Sequence, residues 1–485
     1  MKNYTHFIGG DWVAAKSGDT FQNANPADTR ETVAEYAAGG VEDAVAAIEA
    51  ASAAFGEWSG MTPVARGRVL SKTAEILATR KAELTELLTR EEGKTLFESG
   101  LEVGRAIDIF RFFGGNSYTI GGQTFPHDMP NILMYTNRQP LGVVALVTPW
   151  NFPIAIPAWK LAPALVAGNT VVLKPASQAP ALSLEIARAL DEAGLPKGVL
   201  NVVTGGGGTV GAELATNDAV KALSFTGSHG VGQKIYKQLA ERMARPQMEM
   251  GGKNPTIVLA DADLDLAAQL TAVAGFGLTG QACTATSRAI VEKSVVEEFT
   301  AKLVAKAKAI TVGNGMADGV NMGPAVNKQE FDGNLEYVKI AQEEGATVVC
   351  GGNALTEGDL EHGYYMEPTV IGGVTPGMRI AQEEVFGPVV SVIAVEDYEE
   401  AIAVANQVEF GLSASIVTRD YKKAMLYTNR IEAGVVKVNQ ISTGLALNVP
   451  FGGVKHSSSD SFKEQGPGAI DFYTKIKTVY LDYSA

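Results

Sequence analysis

From Leu141 onward the chain alternates short β-branched runs with amphipathic stretches, and that alternation limits its fold more than any other feature. Residues 143–147 read as an apolar strand, 154–166 as a helix, 170–173 as a strand and 182–192 as a helix. The pattern continues with strands over 200–203 and 222–225 and helices over 210–214 and 232–242. Strands alternating with helices of this length imply βαβ units and a parallel, doubly wound sheet. A second alternating block runs from Thr256 to about Val449, with strands near 288–291, 347–349, 389–395 and 434–438. Ligands in such sheets sit beyond the carboxyl ends of the strands.

The flanks differ. Residues 7–13, with Gly9-Gly10-Asp11 inside, read as a hairpin, followed by a polar loop to Asp28. Residues 41–55 and 64–96 have helical spacing, Thr62-Pro63 starts the second, and 101–113 continues the block. Gly114-Gly115, Gly121-Gly122, Pro126 and Pro130 then break the helices, and 132–139 reads as an exposed strand of an arm. Residues 471–483 alternate as an edge strand of the kind that pairs with another chain. Two α/β lobes plus an arm is the expected architecture.

Forty basic against 54 acidic side chains give a net charge of −14. This argues against a nucleic-acid groove or an anionic membrane as partner. Two cysteines cannot make a disulfide framework, so a reducing compartment, the cytoplasm, is expected. No signal pattern opens the chain, and no run reaches the ~18 apolar residues of a membrane span. Five scattered histidines give no metal pattern.

Several short stretches fall at the carboxyl ends of the expected strands. Cys283, in Thr-Gly-Gln-Ala-Cys-Thr-Ala-Thr, lies between a helix-like and a strand-like run, where a thiolate can face a cleft. Taken alone it is better explained as a buried small hydrophobe. Asn151, in Thr-Pro-Trp-Asn-Phe-Pro, can present an amide donor or satisfy its own turn. Lys174 ends the next strand, where an ammonium suits ribose hydroxyls or phosphate. Gly227, Ser228 and Gly232 belong to a glycine-rich strand–helix turn that lets a phosphate approach a helix start, although the run is not the usual G-x-G-x-x-G fingerprint. Glu249, between methionines and Gly251-Gly252, is a poorly hydrated carboxylate: a general base or half of an ion pair. Glu384, beside Phe386, is a hydrogen-bonding carboxylate or an ordinary loop acid.

Together, Trp-Asn-Phe-Pro, Lys-Pro-Ala-Ser, Phe-Thr-Gly-Ser, Glu-x-Gly-Gly-Lys, Gly-Gln-x-Cys, Glu-x-Phe-Gly-Pro and Pro-Phe-Gly-Gly resemble, in this order, the aldehyde dehydrogenase superfamily over nearly the whole chain. The resemblance implies that Cys283 attacks the aldehyde carbon, Asn151 and the Cys283 N–H hold the oxyanion, and Glu249 activates water to hydrolyse a thioester. It assigns Lys160 to proton movement and Glu384 and Phe386 to the nicotinamide end. Trp150, Lys174, Ser177, Gly227, Ser228 and Met250 match cofactor contacts. The lobes implied are 1–117 with 139–249 for NAD(P) and 250–450 for catalysis. Residues 118–138 with 466–485 form an oligomerisation arm of a homodimer or homotetramer.

Ser177 stands where NAD-preferring relatives often carry glutamate, so NADP is expected to be accepted and preferred over NAD. Trp159 and Gly277 occupy places where succinate-semialdehyde dehydrogenases typically have arginines. The loop around Cys283 and the tail from Lys455 to Gly466 look more like α-ketoglutaric semialdehyde (2,5-dioxopentanoate) dehydrogenases, although Ser458 and Asp460 replace common glycines. A carboxylate anchor is open among Arg105, Arg111, Ser442 and Thr443. A CoA-acylating relative would not need Glu249, and a non-catalytic binding protein on this fold should have lost Cys283 or Glu249.

Overall fold

The computed structural model describes residues 2–484 and contains two seven-stranded sheets, as the alternation requires. In the first, Arg245–Met250, Val220–Gly227, Val143–Val147, Thr170–Lys174 and Leu200–Val202 lie side by side and parallel. The expected hairpin, His6–Ile8 with Asp11–Val13, joins antiparallel at the far edge through Phe7 and Val202. Val143–Val147, Thr170–Lys174 and the helix Ala155–Val166 are buried at every position. A central strand covered on both faces has no solvent side, which is why these segments carry apolar runs instead of alternation.

In the second sheet the order is Thr347–Cys350, Thr369–Gly372, Val389–Val395, Thr286–Glu292, Asn254–Val258, Ser413–Val417 and Val435–Val438. Only the first pair is antiparallel. Gly251-Gly252-Lys253 passes from the end of the first sheet to the start of the second, so the chain crosses between lobes beside Glu249. A third sheet pairs Thr474–Asp482 with Ile132–Pro140 over nine residues, from Thr474 opposite Pro140 to Asp482 opposite Ile132.

Three expectations change. The polar loop to Asp28 is instead the strand Thr20–Asn25, paired antiparallel with Asp28–Ala37. Its side chains are half exposed on a small outer sheet, so no apolar signal marks it. Residues 64–96 do not form one helix; Pro63–Thr79 and Lys81–Glu92 are separated at Arg80, and Gly93 ends the second with φ +97°. Asp471 belongs to a short helix, Ala469–Tyr473, before the last strand. Thr62 caps its helix as expected, accepting from the Ala65 N–H at 3.2 Å.

Arg288 anchors the second sheet. Its buried guanidinium donates to the carbonyls of Lys253 (3.0 Å), Val404 (3.1 Å) and Ala405 (3.0 Å), the last two near the end of helix Tyr398–Asn406. Without an acid partner, burial lowers its pKa to about 9. Charge-assisted bonds contribute about 1.5–3 kcal/mol each, and a buried carbonyl left alone costs about 1–3 kcal/mol. Arg288→Met is therefore expected to lower Tm by several degrees in a thermal scan; an unchanged Tm would remove Arg288 as the anchor.

Candidate active site

Cys283 follows a turn that only this sequence context permits. Leu278 and Thr279 sit at φ +55° and +57°, unusual for side chains that crowd the left-handed region, and Gly280 follows at +68°. A Cβ on Gly280 would come within 2.1 Å of the Gly387 carbonyl, so glycine lets the Cys283 loop rest on the Glu384–Pro388 loop. Asn254 fixes the other side: its Nδ2 donates to the carbonyls of Cys283 (2.8 Å) and Ala285 (2.9 Å).

The half-buried Cys283 lines a cavity of about 830 Å³ together with Phe152, Trp159, Thr284 and Phe451. Asn151 is brought to the same place. Its Nδ2 donates one hydrogen to the Gln281 carbonyl at 3.0 Å, two residues before the thiol. Burial raises the Cys283 pKa, and the nearby carboxylates Glu384, Glu249 and Glu464 raise it further. These effects favour the thiol over the thiolate, so attack by sulfur calls for a base that takes its proton.

Glu249 ends the first sheet's edge strand but does not line the cavity. Its carboxyl accepts from the Gly453 N–H at 3.1 Å and from Ser458 Oγ at 3.2 Å. Burial holds it well above the usual carboxylate range, and Glu464 adds to this. Lys160 does not touch Cys283. Its buried ammonium donates to Ser224 Oγ (2.6 Å) and pairs with Glu464, whose other oxygen accepts from Trp159 Nε1 at 2.8 Å. Glu464 was not legible as a site residue, because no spacing rule links it to Lys160 across some 300 residues. Glu384 accepts from the Gly252 N–H at 3.0 Å, and burial raises its carboxyl to about 7.

A second unread group positions Asn151. Glu102 Oε1 accepts from the N–H groups of Ile154 and Ala155, both at 3.1 Å, and so caps the helix Ala155–Val166. Lys94 pairs with Glu102 at 2.6 Å and donates to the Asn151 carbonyl. The ammonium also lies 4.2 Å from the centre of the Phe152 ring. Lys94 follows Glu-Glu-Gly in a stretch that reads only as a helix end, which hides its reach to Asn151.

Several of the residues expected to contact a cofactor lie just past the carboxyl ends of strands in the first sheet. Trp150 and Phe386 meet edge to face at 5.4 Å, with Phe386 held at φ +62°. Lys174 turns inward, donating to the carbonyls of Pro175 (2.8 Å) and Gly205 (3.1 Å), and burial lowers it to about 8. Ser177 Oγ donates to the same Gly205 carbonyl at 3.2 Å. Ser228 precedes helix His229–Glu241 without capping it, so the first-turn N–H groups have no side-chain partner. Gly227 and Gly232 serve packing: Cβ atoms there would come within 2.6 Å of Phe225 and 2.5 Å of Met250 Sδ. Among the described residues no cluster of potential metal ligands occurs and no helix is long and apolar enough to cross a membrane.

Removing Lys94 would leave Glu102 and Glu92 buried without their cation. Glu92 already sits well above the carboxylate range, through burial and then despite Lys94. Lys94→Met is expected to cost about 3–5 kcal/mol. A carboxyl raised on folding binds its proton more tightly in the native state, so stability is retained at low pH and lost as pH rises. The Tm deficit of Lys94→Met should accordingly be smaller at pH 5 than at pH 8; a deficit independent of pH would contradict this.

Comparison with known proteins agrees with this geometry. Residues 12–479 match the family model described as "Aldehyde dehydrogenase family". The chain is 53% identical over 482 residues to the alpha-ketoglutarate semialdehyde dehydrogenase of Haloferax volcanii, covering 99% of each. It is 45% identical to the 2,5-dioxopentanoate dehydrogenase of Saccharolobus solfataricus, again covering 99% of each. Betaine aldehyde dehydrogenase from Staphylococcus aureus, solved in complex with NAD+, superposes with a TM-score of 0.96 at 34% identity, covering 99% of this chain and 95% of that one. With the fold, the order of motifs and the full-length matches in agreement, this chain belongs to the aldehyde dehydrogenase family.

Proposed function

We propose that the chain oxidises an aldehyde bearing a carboxylate at its far end, 2,5-dioxopentanoate, to the corresponding acid, using NADP in preference to NAD. The observation that carries this reading is the Asn151 amide bonded at 3.0 Å to the carbonyl of Gln281, which sets a donor beside a cavity-facing thiol. The semialdehyde named for the relatives from H. volcanii and S. solfataricus supports the substrate.

The residues past the strand ends of the first sheet suit a dinucleotide. Uncapped N–H groups at the start of helix His229–Glu241 suit its phosphates, and Trp150, Glu384 and Phe386 stand at the end nearer Cys283. Lys174 and Ser177 bring an ammonium and a hydroxyl to this place; both now donate to the Gly205 carbonyl and would turn from it to meet a further phosphate. Bound there, the nicotinamide would supply the hydride acceptor.

The protein's own residues carry the remaining steps. A deprotonated Glu249 takes the proton of Cys283, whose sulfur bonds to the aldehyde carbon, giving a thiohemiacetal. The oxygen that gains charge accepts from the second Asn151 Nδ2 hydrogen and the Cys283 N–H. Loss of hydride from that carbon leaves a thioester on Cys283. Glu249, once deprotonated, takes a proton from the water that displaces the thiol, releasing the acid. The Lys160–Glu464 pair adjoins Glu249 electrostatically and gives that proton a buried, charged neighbour on its way out.

Residues 1–117 with 139–249 would bind the dinucleotide, and 250–450 would carry the thiol. Residues 118–138 with 466–485 would join protomers into a dimer or tetramer. Ile476 and Tyr480, exposed on the free-edged strand Thr474–Asp482, support that role for the arm. A cytoplasmic location fits two cysteines that are both free.

Steady-state kinetics with both cofactors and a panel of aldehydes tests the proposal. The highest kcat/KM is expected for 2,5-dioxopentanoate with NADP; a preference for neutral aldehydes, or a large advantage for NAD, would overturn the corresponding half. The pH profile tests the base. Because burial and Glu464 raise the Glu249 pKa, the hydrolytic rate should climb with pH along a limb that lies above the ordinary carboxylate range. Glu464→Gln removes one negative neighbour, so the rising limb should move to lower pH; a limb unmoved or moved upward would separate Glu464 from Glu249.

A further inference from the structure

Four charged side chains line the cavity in front of Cys283: Glu98, Glu102, Arg105 and Lys306. Two of them are already satisfied. Glu98 closes a capping box with Thr95, accepting from its N–H at 3.0 Å and its hydroxyl at 2.9 Å, and it also accepts from the Leu278 N–H at 2.7 Å. Glu102 is held by Lys94 and by two helix N–H groups. Lys306 is exposed on the outer helix Val296–Lys308, where water solvates its ammonium.

Arg105 is different. Helix Leu96–Asn116 brings it to the cavity one turn beyond Leu101 and Glu102. It is half-buried and forms no ion pair among the described residues. Its recorded side-chain bond runs from Nη2 to Gln465 Oε1 at 2.5 Å. Gln465 is neutral, 1% exposed and held at φ +59°, and its own Nε2 has no partner. The amide therefore orients the guanidinium without neutralising it. Burial lowers the Arg105 pKa, and Asp108, one turn along the same helix and paired with Arg111 at 3.1 Å, offsets this only in part.

The other candidate anchors are occupied or elsewhere. Arg111 is exposed, pairs with Asp108 at 3.1 Å and does not reach the cavity. Ser442 is fully buried and spends its hydroxyl on the Thr284 carbonyl at 2.7 Å and Thr286 Oγ1 at 2.8 Å. Trp159 gives its N–H to Glu464. Thr443 lines the cavity but brings no charge.

We infer that Arg105, oriented by Gln465, is the subsite that binds the carboxylate of a short aldehyde acid whose other end meets Cys283. The planar guanidinium matches a carboxylate in a two-point contact, and the rest of the wall, with Phe152, Ala155, Leu445 and Phe451, suits a short carbon chain. This rests on the carboxylate-bearing substrate proposed above, and one set of measurements separates the two.

In the wild-type protein, kcat/KM for 2,5-dioxopentanoate should exceed that for pentanal, and glutarate should compete with pentanal whereas pentanamide should not. If the wild type does not favour the acid, the substrate reading itself falls. In Arg105→Met, KM for the acid should rise at least tenfold while kcat/KM for pentanal changes by less than about twofold. Arg105→Lys should recover part of the loss. If the wild type favours the acid but Arg105→Met keeps that preference, or if both aldehydes lose equally in Met and Lys variants, the carboxylate subsite is not at Arg105. Should Arg105→Met not fold, the glutarate competition in the wild type and its weakening in Arg105→Lys decide the matter, and glutarate that fails to compete in the wild type, or competes equally well in Arg105→Lys, overturns the inference.

Discussion

Three carboxyl groups stand near one thiol, Glu249 and Glu464 buried and Glu384 half-buried, and the rest of the site is arranged around them. Burying a carboxylate is costly unless a cation or hydrogen-bond donors replace its water. Here the replacements are distinct. Lys160 neutralises Glu464, the Gly252 N–H serves Glu384, and the Gly453 N–H with Ser458 serves Glu249. None of these fully compensates, so two carboxyls and the thiol are all displaced upward. The surroundings thus favour the protonated forms of these groups.

Backbone geometry makes such crowding feasible. Glu249 ends an edge strand of the first sheet, Asn254 begins a strand of the second, and the segment over Ser457–Ser459 runs antiparallel to Met248–Met250. Met250 donates to the Ser457 carbonyl at 2.8 Å, and Ser459 donates to that of Met248 at 3.3 Å. The loop that departs from the glycine-rich family pattern is therefore the loop that holds Glu249. Ser458 adds a hydroxyl where a glycine would add nothing, a local change with a direct contact to the expected base.

Much of the fold was legible because period and burial act on neighbouring residues. The apolar runs over Val143–Val147 and Thr170–Lys174 became central strands, and the capping threonine at 62 became a cap. The strand Thr20–Asn25 was missed because it lies on an outer sheet where polar side chains face water. In the site, Cys283 and Asn151 could be read from motif order and meet on one loop. Lys174 could be read as a cation at a strand end, but not that it would turn towards two backbone carbonyls.

Sequence alone determined the βαβ order, the strand near the C-terminus and the family, because these follow from local periodicity and from residue types in a fixed order. Tertiary structure decided which charges face one another. Glu464 reaches Lys160, Lys94 reaches Asn151, and Arg105 rather than Arg111 reaches the cavity, each across a separation set by how helices pack on sheets. Electrostatic interaction depends on distance and burial in space, and neither quantity is written in the spacing of residues along the chain.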